Sequence, residues 1–140
     1  ALGLIDICTY EGEAAMILES TASYYGSEEP VNYLEGLTYT NVPTVVIIKE
    51  VMQAASSGEA IRSIARNFLF TLASCVVYMA NKYEIKTIAL SGGVFQNTIL
   101  LDFLFALTQN KFKLLMNQQL SPNDENISLG QVFYYENIKE

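Results

Sequence analysis

The residues best suited to chemistry are Ser91, Gly92 and Gly93, which join a short apolar run at 88–90 to an apolar-periodic stretch that predicts a helix starting at once. Glycines let the backbone turn sharply and let a ligand approach without Cβ atoms in the way. The N–H groups of the first helical turn and the positive end of the helix dipole would face that turn. This geometry favours an anion, most often a phosphate. A plain strand-to-helix turn is the alternative interpretation, because Gly-Gly turns are common.

Asn97 adds a polar side chain one turn into the same predicted helix. Its amide can donate to a nucleotide and accept from one. Gly92, Gly93 and Asn97 therefore form a candidate nucleotide-binding segment.

A carboxylate, Asp124, is the second candidate, in the loop at 121–131 that reads SPNDENISLGQ. The loop follows a predicted strand, where the ligand-binding loops of open α/β sheets lie. Asp124 could bind a metal or cap the helix that begins near Ile127. An Asn-Asp turn before a helix is ordinary capping, and on the loop alone capping is the simpler interpretation.

The chain contains no histidine, the commonest general base and metal ligand. A Ser-His-Asp triad, a Cys-His dyad and a histidine-rich zinc site are therefore excluded within the chain, and any chemistry needs groups from elsewhere. The two cysteines, Cys8 and Cys75, form no Cys-x-x-Cys pair and fit a reducing cytosol.

The composition, 51% hydrophobic and 16% charged, is more apolar than that of an average soluble domain. This excess predicts a deep core or a face covered by another domain or subunit. No apolar run reaches the roughly 20 residues of a membrane span, and no signal peptide is visible. The net charge of −7 disfavours binding to nucleic acid or anionic lipid. Because the sequence starts at Ala1, we expect a piece of something longer.

Periodicity indicates the elements that must position these candidates. It predicts helices at 11–24, 44–55, 59 to about 83, 95–109 and 127 to about 138, strands at 86–90 and 112–116, a hairpin of 31–34 and 37–39, and a loop at 25–30. The β-branched run within 44–55 leaves a buried strand as the alternative there. Strands separated by helices imply an α/β fold with a parallel strand pair, and residues 1–140 are expected to form a single domain.

Three segments in this order carry a resemblance: 10–19 (YEGEAAMILE), 90–97 (LSGGVFQN) and 121–131. Together they resemble the C-terminal end of the HypF family of hydrogenase maturation carbamoyltransferases and, more distantly, the tRNA threonylcarbamoyladenosine transferases. The resemblance extends from Leu2 to Gln131, and the Phe-Gln after the glycine turn favours the hydrogenase branch.

The resemblance implies an actin/Hsp70-like ATPase fold of two ribonuclease H-like lobes with a nucleotide between them. This chain would be most of the second lobe, a C-terminal fragment of a larger multidomain enzyme. The family implies that Gly12 lies beside the sugar or base and that Gly92, Gly93 and Asn97 contact ATP or carbamoyl-adenylate. It implies that Asp124 binds a divalent metal (Fe, Zn or Mg) whose other ligands are histidines of the first lobe.

The implied reaction is cytoplasmic carbamoyl transfer. In such proteins carbamoyl phosphate and ATP give carbamoyl-adenylate in an upstream domain, and the lobe pair passes the carbamoyl group to the C-terminal cysteine of a partner, HypE. The implied partners of this chain are thus the remaining domains of the parent protein and HypE. Because half of the cleft would be missing, we expect this fragment alone to be inactive.

The chain departs from the family at two places. Glu125 and Asn126 stand where the family usually has two glycines after the aspartate, and Leu69 stands where it usually has histidine.

An inactive interaction module, which would form a homodimer through an apolar face left uncovered, is the alternative function from another class. A lobe of a tRNA threonylcarbamoyl transferase is the third, which the charge of −7 mildly disfavours.

Overall fold

The computed structural model describes residues 2–23 and 29–138, and the elements alternate between helix and strand in the second half of the chain. In chain order they are α1 (Glu13–Ser23), α2 (Thr44–Ser56), α3 (Ile61–Lys82), β1 (Thr87–Leu90), a 3₁₀ turn (Gly93–Gln96), α4 (Thr98–Thr108), β2 (Lys113–Met116) and α5 (Glu125–Asn137). The two strands pair in parallel, with Thr87 opposite Lys113. The predicted α/β fold with a parallel pair is thereby confirmed.

The main core lies between α1, α3 and α4, and it includes Leu90 of β1, with partly buried side chains of both strands packed against it. Leu69 and Leu104 are buried there, and the rings of Phe70 and Phe103 meet edge to face at 5.2 Å. Full burial of each such aliphatic side chain contributes roughly 1.5–3 kcal/mol. Leu69, which replaces the histidine usual in the resembled family, is only 3% exposed and therefore acts as a packing residue.

The α2 segment is a helix, as predicted, and not the alternative buried strand. The Pro43 carbonyl accepts hydrogen bonds from the N–H groups of Val46 (2.9 Å) and Ile47 (3.1 Å), which start the first turn. Ile47, Val51 and Ala54 are buried at spacings of four and three. That helical period places them on one face, and burial of this face outweighs the strand preference of the β-branched side chains.

The predicted hairpin of 31–34 and 37–39 is wrong. This segment forms turns, and its backbone N–H groups find acceptors on α3 instead of on a second strand. Three N–H groups donate to α3 side chains: Val31 to Asn67 Oδ1 (2.9 Å), Tyr33 to Thr71 Oγ1 (3.0 Å) and Tyr39 to the Tyr78 hydroxyl (3.1 Å). The alternating pattern therefore belongs to an irregular segment, residues 31–39, that packs along α3 and donates its N–H groups to side chains of that helix.

The predicted loop at 25–30 lies, up to residue 28, outside the described residues, as does Tyr24 at the end of the first predicted helix. Cys75 is buried, as its apolar surroundings predict, and this burial raises the pKa of its thiol. Cys8 is exposed.

Helix α3 is the element to compare with the expectation that no apolar run is long enough to span a membrane. By length and composition alone its 22 residues are long and apolar enough to cross one. In this structure α3 is the central core helix, and 44% of its most apolar stretch is buried against the rest of the chain. Core helices meet the same criterion, so this feature is weak evidence for a membrane span.

Candidate functional site

Gly12 stands where α1 begins. Its φ of +87° lies in the left-handed region that glycine adopts without strain, and its carbonyl accepts the N–H of Met16 at 3.0 Å. The next residue, Glu13, accepts hydrogen bonds from the backbone N–H and hydroxyl of Thr9. The bond from the Thr9 N–H lowers the pKa of Glu13, which keeps a negative charge at the N-terminus of α1.

The glycine turn differs from its prediction. The chain turns at Gly92, whose φ of +106° and ψ of 155° are essentially restricted to glycine. A 3₁₀ turn, Gly93–Gln96, then precedes α4, so the helix begins at Thr98 and not directly after the glycines as its sequence predicts.

The N-terminus of α4 is already occupied by two side chains of this protein. Asn97 is the N-cap, and its Oδ1 accepts the N–H of Leu100 at 2.9 Å. The Oε1 atom of Glu19, on α1, accepts both the N–H and the hydroxyl of Thr98 at 2.7 Å. The N–H groups of Thr98 and Leu100 therefore have acceptors within the chain and are not free for the phosphate that the sequence analysis expects at this helix N-terminus.

Two other N–H groups of the turn remain available. Those of Gly93 and Val94 have no acceptor among the described residues, and both residues line an open cleft. A phosphate-binding role would therefore fall to the 3₁₀ turn and not to α4.

The glycine turn and the aspartate loop touch each other. The N–H of Gly92 donates to the carbonyl of Pro122 at 2.7 Å, and Gln96 Nε2 donates to Ser121 Oγ at 2.7 Å. Because β1 and β2 are parallel neighbours, the segments that follow them leave the sheet at the same edge. The two sequence-predicted segments are thereby brought together.

Asp124 does not use its carboxylate to cap α5. Its backbone is already helical (φ −64°, ψ −14°), and its exposed side chain accepts no capping hydrogen bond. The neighbouring Asn123 Oδ1 instead accepts the N–H of Glu125 at 3.2 Å, and Asn126 Nδ2 donates to the Ser121 carbonyl. The capping interpretation is wrong, and the carboxylate is available for a ligand.

An open cleft of about 610 Å³ lies between α1, the 3₁₀ turn and the start of α5. It is lined by Glu11, Gly12, Ala15, Gly93, Val94, Gln96, Asn123, Asp124 and Glu125. Of the predicted site residues it unites Gly12, Gly93 and Asp124, whereas Gly92 and Asn97 are not among the residues that line it.

Sequence reasoning missed four polar side chains that line this cleft: Glu11, Gln96, Asn123 and Glu125. Each stands beside a predicted site residue, and that adjacency was the only signal available. The order of amino-acid types along a sequence does not show which residue beside a turn lines a cleft.

The described residues do not form a complete metal site. No group of three or more histidine, cysteine, aspartate or glutamate side chains within 2–23 and 29–138 is close enough to hold an ion. A carboxylate oxygen suits a hard divalent cation, but Asp124 alone is one ligand. The chain therefore fits a metal only at a site shared with residues outside it.

The comparisons with known proteins agree with one another. The family model described as the carbamoyltransferase Kae1-like domain, second subdomain, matches residues 1–131. The carbamoyltransferase HypF of Synechocystis is 31% identical over 134 residues, which cover 94% of this chain and 17% of that protein.

Two solved structures share the fold. The crystal structure of HypF from T. kodakarensis superposes with a TM-score of 0.77 at 23% identity, covering 96% of this chain and 18% of that one. A full-length HypF in its phosphate- and nucleotide-bound form gives 0.76 at 26% identity, covering 99% and 19%. The chain thus spans less than a fifth of each relative's length. It belongs to the carbamoyltransferase family, as the second subdomain of a Kae1-like domain.

Proposed function

We propose that this chain is one lobe of an actin/Hsp70-like, two-lobed nucleotide-binding domain in a carbamoyltransferase. The whole protein would pass a carbamoyl group from carbamoyl-adenylate to the C-terminal cysteine of HypE, in the cytoplasm, using carbamoyl phosphate as the original donor. The single observation that carries the proposal is the meeting of the glycine turn and the aspartate loop in one cleft, with a 2.7 Å hydrogen bond between Gly92 and Pro122.

The cleft is suited to a nucleotide. Its volume of about 610 Å³ lies within the range of roughly 300–1,000 Å³ usual for small-molecule sites. The unpaired N–H groups of Gly93 and Val94 would donate to phosphate oxygens of ATP or carbamoyl-adenylate. Gly12, on the opposite wall, would face the sugar or base. Asn97 does not line the cleft but directly follows Gln96, which does, and it would reach the nucleotide only with its Nδ2, because its Oδ1 holds the α4 cap.

Charge argues for a cation in this cleft. Glu11, Asp124 and Glu125 line it, and the whole chain carries −7. An anionic nucleotide would be repelled by these carboxylates unless a positive charge lies between them. We propose that Asp124 supplies one ligand to a divalent metal, Fe, Zn or Mg, and that histidines of the first lobe complete the site. When bound, such an ion would neutralise phosphate charge.

The residues of this chain would hold and orient the donor. The turn at 92–97 is fixed at both ends, at Gly92 by Pro122 and at Asn97 by the α4 cap, so its amides are preorganised. Preorganised donors stabilise developing charge without reorganisation during the reaction. The cleft is open on one side, which suits closure by the first lobe and leaves room for the HypE cysteine.

Substitution of Gly93 tests this proposal. A Cβ at Gly93 meets no atom within 4 Å and the backbone there is not left-handed, so a side chain would fit the fold but enter the cleft. In the full-length protein we expect Gly93→Leu to weaken ATP binding and carbamoyl transfer to HypE at least tenfold. Thr40→Leu, which places the same side chain at an exposed position that does not line the cleft, is the matched control and should leave both unchanged. Equal activity of the two variants would refute the proposal.

A partner-binding role is a second candidate, favoured by α5. No described residue of this helix is buried, and Phe133, Tyr134 and Tyr135 are each about two-thirds exposed. Exposed aromatic side chains at this density are typical of a surface that another protein part covers. This candidate is compatible with the first one, because the remaining domains of the parent protein could supply the cover. A homodimer of the isolated chain would use the same surface.

A further inference from the structure

Glu19 connects two helices beside the cleft. It lies on α1, which lines the cleft, and it contacts the start of α4, which follows the 3₁₀ turn that also lines the cleft. Its Oε1 accepts two hydrogen bonds from Thr98, one from the backbone N–H and one from the hydroxyl, both at 2.7 Å. Glu19 lies on α1 and Thr98 is the first residue of α4, so residues 79 positions apart in sequence are held together. Two bonds converging on one oxygen fix both the distance and the direction of that contact.

Both ends of this contact continue directly into the cleft. Ala15 lines the cleft and lies four residues before Glu19, so the two share one face of α1. On the other side, Thr98 follows the cap Asn97 and stands two residues after Gln96, which also lines the cleft. A shift of Glu19 relative to Thr98 would therefore change the spacing between Gly12 and Gly93.

We propose that Glu19 is a positioning residue that sets the width of the cleft for its nucleotide. The assignment rests on the proposed function. Glu19 is absent from the cleft lining, so it acts through α1 and the 3₁₀ turn and not by touching the ligand. It works as a hydrogen-bond acceptor of a particular length, because both donors that it meets, the N–H and hydroxyl of Thr98, are uncharged.

A positioning role predicts different effects for two conservative substitutions of Glu19, to glutamine and to aspartate. Glutamine keeps the length of the side chain and an oxygen that accepts both bonds, but loses the charge. Aspartate keeps the charge but is one methylene shorter, so it reaches Thr98 only if α1 and α4 move together. Positioning predicts that glutamine preserves the function and aspartate does not, whereas a purely electrostatic role predicts the reverse.

The experiment uses the full-length protein with Glu19→Gln, Glu19→Asp and, as a control for charge, Glu35→Gln. Glu35 is exposed in a turn away from the cleft. The Kd for ATP, kcat and KM for carbamoyl transfer, and the melting temperature are measured, with binding recorded where all variants are folded. We expect Glu19→Asp to weaken ATP binding about tenfold, and Glu19→Gln and Glu35→Gln to stay within about 1.5-fold of the unmodified protein.

Three other outcomes of this experiment would each overturn the proposal. An aspartate variant that binds like the unmodified protein, even with a lower melting temperature, reduces Glu19 to a structural contact and overturns the proposal. A glutamine variant as weak as the aspartate one shows that charge, not length, matters, and also overturns it. If the unmodified full-length protein binds no ATP, the proposed function itself fails and this assignment with it.

A second variant covers the case in which Glu19→Asp does not fold. Thr98→Ala removes the hydroxyl donor and leaves the backbone N–H bond to Glu19 in place. We expect ATP binding to weaken about threefold, an intermediate loss, because one of the two bonds remains. Unchanged binding in a folded Thr98→Ala variant, together with unchanged binding in Glu19→Ala, would overturn the proposal.

Discussion

At the scale of single residues, the carboxylate of Asp124 is the group on which metal binding depends. It is exposed, lines the cleft and makes no capping hydrogen bond. We expect Asp124→Ala in the full-length protein to abolish carbamoyl transfer and to lower the bound metal content, measured by elemental analysis. Since the side chain is exposed and makes no capping hydrogen bond, the free energy of unfolding should change by less than about 0.5 kcal/mol.

The matched control for this change is Asp102→Ala, which removes the same charge from an exposed position on α4. It should leave both metal content and transfer intact. Full activity in the Asp124 variant would show that the aspartate has no role in the reaction.

The two adjacent glycines should respond differently to alanine. Gly92 has a φ of +106°, so Gly92→Ala forces a side chain into a strained conformation and should cost about 1–3 kcal/mol of unfolding free energy. Gly93 has an ordinary φ and open space around its Cβ position, so Gly93→Ala should be nearly neutral. Chemical denaturation of both variants measures the difference, and equal stabilities would contradict this account of the turn.

The sequence indicated which residues are candidates for the site better than it indicated their hydrogen-bond partners. The residues alone indicated the glycine pair and the aspartate as two separate candidates, and the family resemblance implied that both belong to one site. The sequence did not indicate that Glu19, distant along the chain, occupies the N-terminus of α4, because that contact depends on how α1 packs. Capping by Asp124 was a wrong prediction for a different, local reason, since its neighbour Asn123 supplies the acceptor for the N–H of Glu125.

At the scale of elements, α3 organises the segment at 31–39 through side-chain acceptors. Thr71 is fully buried and its hydroxyl accepts the N–H of Tyr33 at 3.0 Å. Thr71→Val keeps the shape of the side chain but leaves that N–H without a partner, which should cost about 1–3 kcal/mol. Denaturation in urea measures the change.

Thr40→Val is the control for this prediction, because Thr40 is exposed. It should change stability by less than about 0.5 kcal/mol. A Thr71 variant as stable as the control would mean that the segment is not held by α3.

Helical periodicity predicted four of the five helices within a few residues at each end, because each of those helices buries a periodic apolar face or, in α5, follows a clear turn. The exception is α4, where the 3₁₀ turn delays the start to Thr98. Alternation in 31–39 suggested strands, but no partner strand was available and α3 supplied the acceptors instead. Local alternation thus predicts a strand correctly only where a partner strand is available, as β1 and β2 are for each other.

At the scale of the whole molecule, the proposed function implies that this chain presents half of a binding site. Its cleft is open, and its only proposed metal ligand needs others from outside the chain. We expect the 140-residue chain alone to bind ATP weakly and to catalyse no transfer, whereas the full-length protein does both. Calorimetric titration with ATP and Mg²⁺ compares them, and submicromolar binding by the isolated chain would show that the first lobe is not needed.

The most direct test of the central claim is a crystal structure of the full-length protein with a non-hydrolysable ATP analogue and a divalent metal. We predict phosphate oxygens within about 3 Å of the N–H groups of Gly93 and Val94. We also predict a metal ion about 2.0–2.6 Å from a carboxylate oxygen of Asp124. A nucleotide bound away from this cleft, with Asp124 facing solvent, would contradict the account.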